Sequence, residues 1–156
     1  MNSPAPSDPD GFRLERSVII RRPPGRVYAF WREPANLGSL LPAQARVTAT
    51  SNRRTHWVAQ GPMGRTYEWD ADITRDEPGR AIEWASCPGA DVPNSGALRL
   101  DAGSADGEST RVTLSLSYDP PGGRLGKFVA GAMQGRAEQE VERALAEARR
   151  RIESEA

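Results

Sequence analysis

The segment from Phe12 to Trp31 predicts a β-strand that leads directly into a short helix. The strand alternates apolar with mostly charged positions, and its apolar residues are Phe12, Leu14, Val18 and Ile20. This period of two is typical of a half-buried strand. Pro23 and Pro24 end the strand, because proline lacks the N–H that a sheet requires, while its fixed φ suits the first turn of a helix. The apolar face of that helix consists of Val27, Phe30 and Trp31. A helix this short is not stable alone, so we expect this face to cover a sheet.

Six further segments show the same alternation and are separated by turn residues. They lie at residues 45–49, 55–59, 67–73, 82–86, 98–100 and 112–118. Short connections between strands that each have one apolar and one polar face are typical of an antiparallel, hairpin-connected sheet. The sequence therefore predicts seven strands, with a second short helical turn at 36–41 after the first helix.

The C-terminal region predicts helix with two apolar faces on nearly opposite sides. One face consists of Leu125, Phe128, Val129 and Ala132, and the other of Val141, Leu145, Ala148 and Ile152. A single straight helix cannot turn both faces towards one sheet. Because glycine suits the residue that ends a helix, we expect a break near Gly135, between helices near 122–134 and 137–153.

Length and composition limit the classes of protein. The 156 residues suffice for one domain, which we place at 12–154 after a disordered tail at 1–11. The 21 basic and 21 acidic residues balance, so no overall charge attracts nucleic acid or an anionic membrane. The single cysteine, Cys87, excludes an intrachain disulfide and a zinc site built on a cysteine pair. We find no apolar run long enough for an integral membrane segment and no signal peptide, so we expect a cytoplasmic protein.

No catalytic signature is present in the sequence. It contains no P-loop, GxGxxG or GxSxG motif, and a single histidine excludes HExxH. That histidine, His56, has no partner nearby in sequence for a triad or a metal site, so we expect a structural or solvated role. Glu68, Asp70 and Asp72 lie on one face of a strand. Paired carboxylates can catalyse proton transfer or bind a divalent cation. The pattern favours a solvated outer face instead, so we assign no catalytic residue and expect no metal and no cofactor.

Aromatic side chains are the most informative group. Five aromatic residues occupy the same alternating strand positions as apolar residues, so we expect them on one side of the sheet. They are Trp57, Tyr67, Trp69, Trp84 and Tyr118. Buried Trp N–H and Tyr O–H groups need hydrogen-bond partners, so dry cores contain few of these residues. Several on one concave surface favour a cavity with an apolar body and a few polar groups.

The order of these elements resembles the helix-grip fold of the START/Bet v 1-like (SRPBCC) superfamily. Within it, the chain is similar to the polyketide cyclase/dehydrase and lipid-transport group, which includes coenzyme Q-binding proteins. The segments that carry the resemblance are 15–20 with Pro23-Pro24, 27–31, 68–71, Pro78 with 82–84, and Tyr118 before 120–123. The resemblance extends over about residues 12–152 and implies an α+β fold, in which a curved seven-stranded sheet surrounds the C-terminal helix and encloses an apolar cavity. Members bind lipids, polyketides, quinones or hormones, and some catalyse cyclisation or dehydration, but no catalytic motif is common to the group.

Our leading hypothesis is a non-catalytic protein that binds or transports a hydrophobic small molecule in this cavity. The candidate ligand-binding residues are Trp57, Tyr67, Trp69, Trp84, Leu98, Leu114, Leu116, Tyr118, Phe128 and Met133. Phe128 and Met133 are expected on a C-terminal lid, and the loop 87–96, with Asp91 and Asn94, at the entrance. The small residues at 144, 146 and 148 either enlarge the cavity or allow close packing of helix on sheet.

Two other functions remain open. A polyketide cyclase or dehydratase would need an acid or base in the cavity, and the predicted inner face offers Tyr67, Tyr118, Thr55 and Ser86 but no histidine and no carboxylate. A protein-interaction module would instead show an exposed apolar patch and no enclosed cavity. The identity of the ligand and the oligomeric state do not follow from the sequence.

Overall fold

One curved antiparallel sheet and three helices make up the fold. The computed structural model describes residues 12–42, 45–61, 64–119 and 126–155, and only the backbone for 126–136. Residues 1–11, the predicted tail, lie outside this part of the chain. The elements are β1 (Phe12–Ile20), α1 (Pro24–Arg32), α2 (Pro34–Leu40), β2 (Ala45–Ala49), β3 (Arg54–Gln60), β4 (Thr66–Glu77), β5 (Ala81–Ser86), β6 (Asn94–Ala102), β7 (Thr110–Tyr118) and α3 (Gly126–Ser154).

The seven strands form a single sheet in the order β1-β7-β6-β5-β4-β3-β2. Strands β2 to β7 each pair with their neighbours in sequence, whereas β1 pairs with β7, from Phe12 opposite Tyr118 to Ile20 opposite Thr110. The sheet curls into a half-barrel with α3 on its concave side. We call this side the inner face and the opposite side the outer face. The predicted α+β helix-grip fold is thereby confirmed.

Helix α1 forms as the double proline predicts. Pro23 is the N-cap residue, in extended conformation at φ −63° and ψ 153°, and Pro24 takes the first helical position. Glu33 separates α1 from α2 and caps α2, because its carboxylate accepts a hydrogen bond from the Ala35 N–H at 3.4 Å. The apolar face of α1 is buried and joins the hydrophobic core, as predicted.

Helix α3 is continuous, so the predicted break near Gly135 is wrong. Glycine in a helix interior costs only about 1 kcal/mol relative to alanine. The four residues 137–140, Ala-Glu-Gln-Glu, are good helix formers and continue the helix past Gly135. The predicted face of Val141, Leu145, Ala148 and Ile152 is buried, which offsets the cost. The side chains at 128, 129 and 132 lie outside the described residues.

Within the described part, no helix is both long and apolar enough to cross a membrane.

The hydrophobic core occupies one half of the inner face. Its strand residues belong to β1, β5, β6 and β7, and they pack against α1, α2 and α3. No residue of β2, β3 or β4 belongs to the buried core cluster within the described part of the chain. The inner side chains of β3 are only half-buried. The inner face over β3 and β4 is therefore available for a cavity.

Candidate functional site

A cavity of about 490 Å³ lies between the inner face of the sheet, the α1–α2 region and α3. Its lining includes side chains from β3 to β7 and is predominantly apolar. Its volume is within the range of about 300–1,000 Å³ that is usual for small-molecule sites. A second depression, between β1 and α3 at Val18 and Leu145, is more open to solvent and is bordered mainly by charged residues.

Eight of the ten predicted ligand-binding residues line this cavity: Trp57, Tyr67, Trp69, Trp84, Leu98, Leu114, Leu116 and Tyr118. The side chains of the other two, Phe128 and Met133, lie outside the described residues. Strand alternation explains the agreement, because residues two apart on a strand share a face. The assignment of these eight as ligand contacts stays a prediction.

Register places the aromatic residues side by side. Trp57 lies directly opposite Trp69 in the β3–β4 pairing, and Ala59 lies opposite Tyr67. The two indole rings are stacked, with centroids 6.2 Å apart and an interplanar angle of 5°. On the next strand, Trp84 lies opposite Ile73. Trp57, Tyr67, Trp69 and Trp84 all line the cavity, and we call these four residues its aromatic wall.

Trp31 and Trp57, two of the four tryptophans that line the cavity, differ in the hydrogen bonding of their indole N–H groups. Trp57 Nε1 donates to Thr55 Oγ1 at 2.8 Å, so the protein satisfies this donor itself. Trp31 is buried, and its Nε1 has no hydrogen-bond partner among the described residues. Leaving a buried donor unpaired is unfavourable. Trp31 was predicted only as a residue that covers the sheet, yet it also lines the cavity.

Arg32 lines the cavity near the end of α1 and is held by a polar cluster. Its Nε donates to Asp76 Oδ2 at 3.0 Å and its Nη2 to the Asn52 carbonyl at 2.9 Å. The Tyr28 hydroxyl donates to the other oxygen of Asp76. The Tyr28 hydrogen bond and the nearby Arg32 guanidinium lower the pKa of Asp76. Burial and the Asp76 carboxylate raise the pKa of Tyr28. Asp76 is therefore ionised at neutral pH and fixes the position of Arg32.

Residues of α3 complete the lining, and only one of them, Ala144, was associated with the cavity from the sequence. They are Ala137, Glu140, Val141 and Ala144. Their spacing of i, i+3, i+4 and i+7 is that of one helical face, so helical periodicity was the signal that could have found them. Glu140 is the one carboxylate in the described lining, although no acid was predicted in the cavity. It is paired with Arg143 at 2.8 Å.

The carboxylates of Glu68, Asp70 and Asp72 on β4 lie on the outer face and not in the cavity. Asp70 Oδ1 lies 2.7 Å from His56 Nδ1, and Glu68 Oε1 lies 3.0 Å from His56 Nε2. The hydrogen bond to Asp70, followed by that to Glu68, raises the pKa of His56. Asp72 forms two hydrogen bonds with Arg54, at 2.6 and 2.9 Å. No group of three or more potential ligands suited to a metal ion is found in the described ranges.

His56 has the structural, partly solvated role that was expected, and its partners are distant in sequence for a topological reason. Its carboxylate partners are 12 and 14 residues away in sequence and are brought close by the β3–β4 pairing, in which His56 lies opposite Asp70. The side chain is more than one third exposed. The cluster is an ion-paired surface feature.

The loop between β5 and β6 is shorter than the predicted 87–96. Strand β6 begins at Asn94, whose N–H donates to Ser86 Oγ at 2.9 Å. Asn94 and Val92 line the cavity. Asp91 does not line the cavity. Its carboxylate accepts a hydrogen bond from the Glu68 N–H at 2.9 Å, which connects the loop to β4. Of the two residues predicted at the entrance, Asn94 lines the cavity and Asp91 does not, and the entrance role itself stays a prediction.

Solved structures of several bacterial proteins share this architecture. A Deinococcus radiodurans protein is 28% identical, with a TM-score of 0.70 over 91% of this chain and 97% of its own. A Thermus thermophilus protein is 26% identical, with a TM-score of 0.69 over 90% of this chain and 96% of its own. An aromatase/cyclase from a Streptomyces species has the same fold, with a TM-score of 0.62 over 92% and 97% of the two chains, at 17% identity.

Family membership follows from the sequence match over most of the domain. No curated protein matches the chain significantly. The model of the family described as polyketide cyclase / dehydrase and lipid transport, in contrast, matches residues 20–146. This range includes α1, α2, strands β2 to β7 and the part of α3 that lines the cavity. The chain therefore belongs to the polyketide cyclase/dehydrase and lipid transport family.

Proposed function

We propose that this protein binds and carries a hydrophobic small molecule in the cavity between the sheet and α3. The observation that supports this proposal most directly is the convergence of Trp57, Tyr67, Trp69 and Trp84 on a cavity of about 490 Å³. Side chains of this size would bury far more of their surface in a filled core. A bound apolar molecule would supply the missing contacts.

The size of the cavity is adequate for useful affinity. Apolar surface removed from water contributes about 25 cal/mol per Å². A ligand that buries about 300 Å² of apolar surface would thus gain about 7 kcal/mol before the cost of association. The few polar groups of the lining would orient such a ligand.

Native mass spectrometry tests the proposal directly. The protein would be purified without detergent from its own host and sprayed under non-denaturing conditions. We expect a discrete added mass that disappears after extraction with organic solvent. Saturable binding of N-phenylnaphthylamine, a neutral fluorescent probe, would be measured on the extracted protein. An unchanged apo mass together with no saturable probe binding would overturn the proposal.

One observation favours an enzyme, a cyclase or dehydratase of a polyketide-like substrate, as a second candidate. Glu140 and Tyr118 both line the cavity. Burial and, to a smaller extent, Glu138 raise the pKa of Tyr118, so its hydroxyl stays protonated at neutral pH and can donate a hydrogen bond to a substrate oxygen. An enzyme would lose turnover of a poly-β-keto thioester in the Glu140→Gln variant but keep its affinity for the probe. A carrier would show no turnover in either form.

A further inference from the structure

Gly96 occupies an unusual place in a row of residues that crosses the inner face. Successive strand pairings place Ile73 opposite Trp84, Trp84 opposite Gly96, Gly96 opposite Leu116, and Leu116 opposite Leu14. Directly opposed residues present their side chains on the same face, with Cβ atoms about 4.5–5.5 Å apart. Four positions of the row carry large side chains, and position 96 carries none.

The Trp84 ring occupies the space above Gly96. A Cβ atom added at Gly96 would lie 2.2 Å from Cζ2, 2.5 Å from Cε2 and 2.9 Å from Nε1 of this indole. These distances are far below van der Waals contact, so the ring would have to move by more than about 1 Å to accommodate a methyl group. Trp84 therefore lies across the neighbouring strand, over the residue that has no side chain.

Backbone conformation does not account for this glycine. Positive φ angles occur at Gly64, Gly79, Gly89 and Gly107 among the described residues, and not at Gly96. Glycine weakens the interior of a strand, and its presence there often marks the close approach of another group. Here the group that approaches is the ring of Trp84, which lines the cavity.

We propose that Gly96 determines the size of the cavity and so its selectivity among ligands. With glycine at 96, the indole lies along the sheet and leaves the space above it open. A side chain at 96 would displace the indole towards the centre of the cavity, because the backbones of β5 and β6 are held together by the sheet. The effect of Gly96 on ligand selectivity rests on the proposed function. The steric dependence of the Trp84 ring position on Gly96 does not rest on it.

A second aromatic residue has the same relation to a glycine. A Cβ atom added at Gly61 would lie 2.2 Å from Tyr67 Cε2, and both residues line the cavity. Two of the aromatic side chains of the wall are thus placed over residues that lack side chains. This supports the idea that glycine at these positions keeps the cavity open.

A double-mutant cycle tests the proposal. The variants are Gly96→Ala, Trp84→Leu and the combination of both, and probe affinity is measured with N-phenylnaphthylamine. We expect Gly96→Ala alone to weaken binding by about tenfold or more. In the Trp84→Leu background the same change should alter affinity by less than about twofold, because the ring that it displaces is absent. Gly25→Ala is the control, since a Cβ atom there would meet no other group within 4 Å.

Each outcome of the cycle is informative. An unchanged affinity of Gly96→Ala, or an equal loss in both backgrounds, would overturn the proposal. If Gly96→Ala does not fold, the double variant should fold, and failure of both would also overturn it. Urea unfolding of the same four proteins gives a readout that needs no ligand. Non-additive unfolding free energies would support the Gly96–Trp84 relation even if the wild type bound no probe and showed no added mass, the pair of results that overturns the carrier function. Additive unfolding free energies would overturn the Gly96–Trp84 relation itself.

Discussion

The indole rings of Trp57 and Trp69 lie parallel, with their centroids 6.2 Å apart and their planes inclined by 5°. The β3–β4 pairing places the two residues directly opposite one another. Offset parallel stacking of aromatic rings is worth about 0.5–1.5 kcal/mol beyond the burial of area. The hydrogen bond from Trp57 to Thr55 further restricts one of the two rings. The pair is thus a rigid part of the cavity wall, and a ligand would meet it without reordering it.

Trp69→Ala should weaken binding of N-phenylnaphthylamine by about tenfold or more, because it removes an aromatic contact surface worth about 1.5–3 kcal/mol. Fluorescence titration of the folded variant measures this change. Thr74→Ala, on the same strand but at an exposed position, should leave the affinity unaltered. Equal affinities of the wild type and the folded Trp69→Ala variant would remove Trp69 from the binding site.

The three small residues of α3 should respond differently to enlargement. Ala148 is fully buried, so Ala148→Leu should destabilise the protein by about 1–3 kcal/mol through overpacking. Ala144 lines the cavity, so Ala144→Leu should cost little stability but reduce probe affinity. Ala146 is exposed, and Ala146→Leu should change neither. Urea unfolding and probe titration of all three variants check this order, and a probe affinity that is most sensitive to position 146 would contradict it.

His56 should stabilise the fold more at acidic pH than at alkaline pH. Its pKa is raised above the ordinary value of 6.5 by hydrogen bonds to Asp70 and then Glu68. The stabilisation is therefore fully present below about pH 6.5 and is lost as the pH rises through the folded-state pKa. We expect the difference in unfolding free energy between the wild type and His56→Gln to be larger at about pH 5.5 than at about pH 8.5. A difference that is constant across this range would disprove the assignment.

Asp76→Asn should destabilise the fold at neutral pH by about 1–3 kcal/mol, since it weakens two hydrogen bonds to a charged group that is largely buried. The pKa of Asp76 is lowered from its ordinary value of 3.8. The effect should thus persist above about pH 4 and diminish as the pH falls through the folded-state pKa. Asp101→Asn, at an exposed ion pair with Arg99, should change stability by less than about 0.5 kcal/mol. Urea unfolding of the two variants at several pH values provides the comparison, and equal effects at Asp76 and Asp101 would contradict it.

Strand periodicity was sufficient to predict most of the cavity wall. In β3 and β4 the alternation is clean, so periodicity alone places Trp57, Tyr67 and Trp69 on the face that lines the cavity. The strand register places Trp57 opposite Trp69 and Trp84 opposite Gly96, and only the side-chain geometry shows that the first pair stacks and that the Trp84 ring lies over Gly96.

Contacts between residues distant in sequence account for what could not be predicted. The partners of His56 belong to another strand, so the sequence around it contains no sign of them. The break expected at Gly135 rested on two apolar faces on nearly opposite sides of the helix and on the preference of glycine for helix ends. The cost of one glycine is small compared with the burial of Leu145, Ala148 and Ile152. Glu140 could not be predicted as a cavity residue because a carboxylate on an amphipathic helix is normally assigned to its solvent side.

The pairing of β1 with β7 has a consequence for how the chain is made. Phe12 emerges from the ribosome long before Tyr118, the residue that it lies opposite in the sheet. At about 5–20 residues per second, synthesis of the intervening chain takes about 5–20 s. During that time β2 to β6 can pair with their neighbours, but β1 has no partner strand. A ribosome that stalls before Thr110 therefore presents an unpaired strand with Leu14 and Ile20 uncovered, which is the kind of nascent segment that chaperones bind.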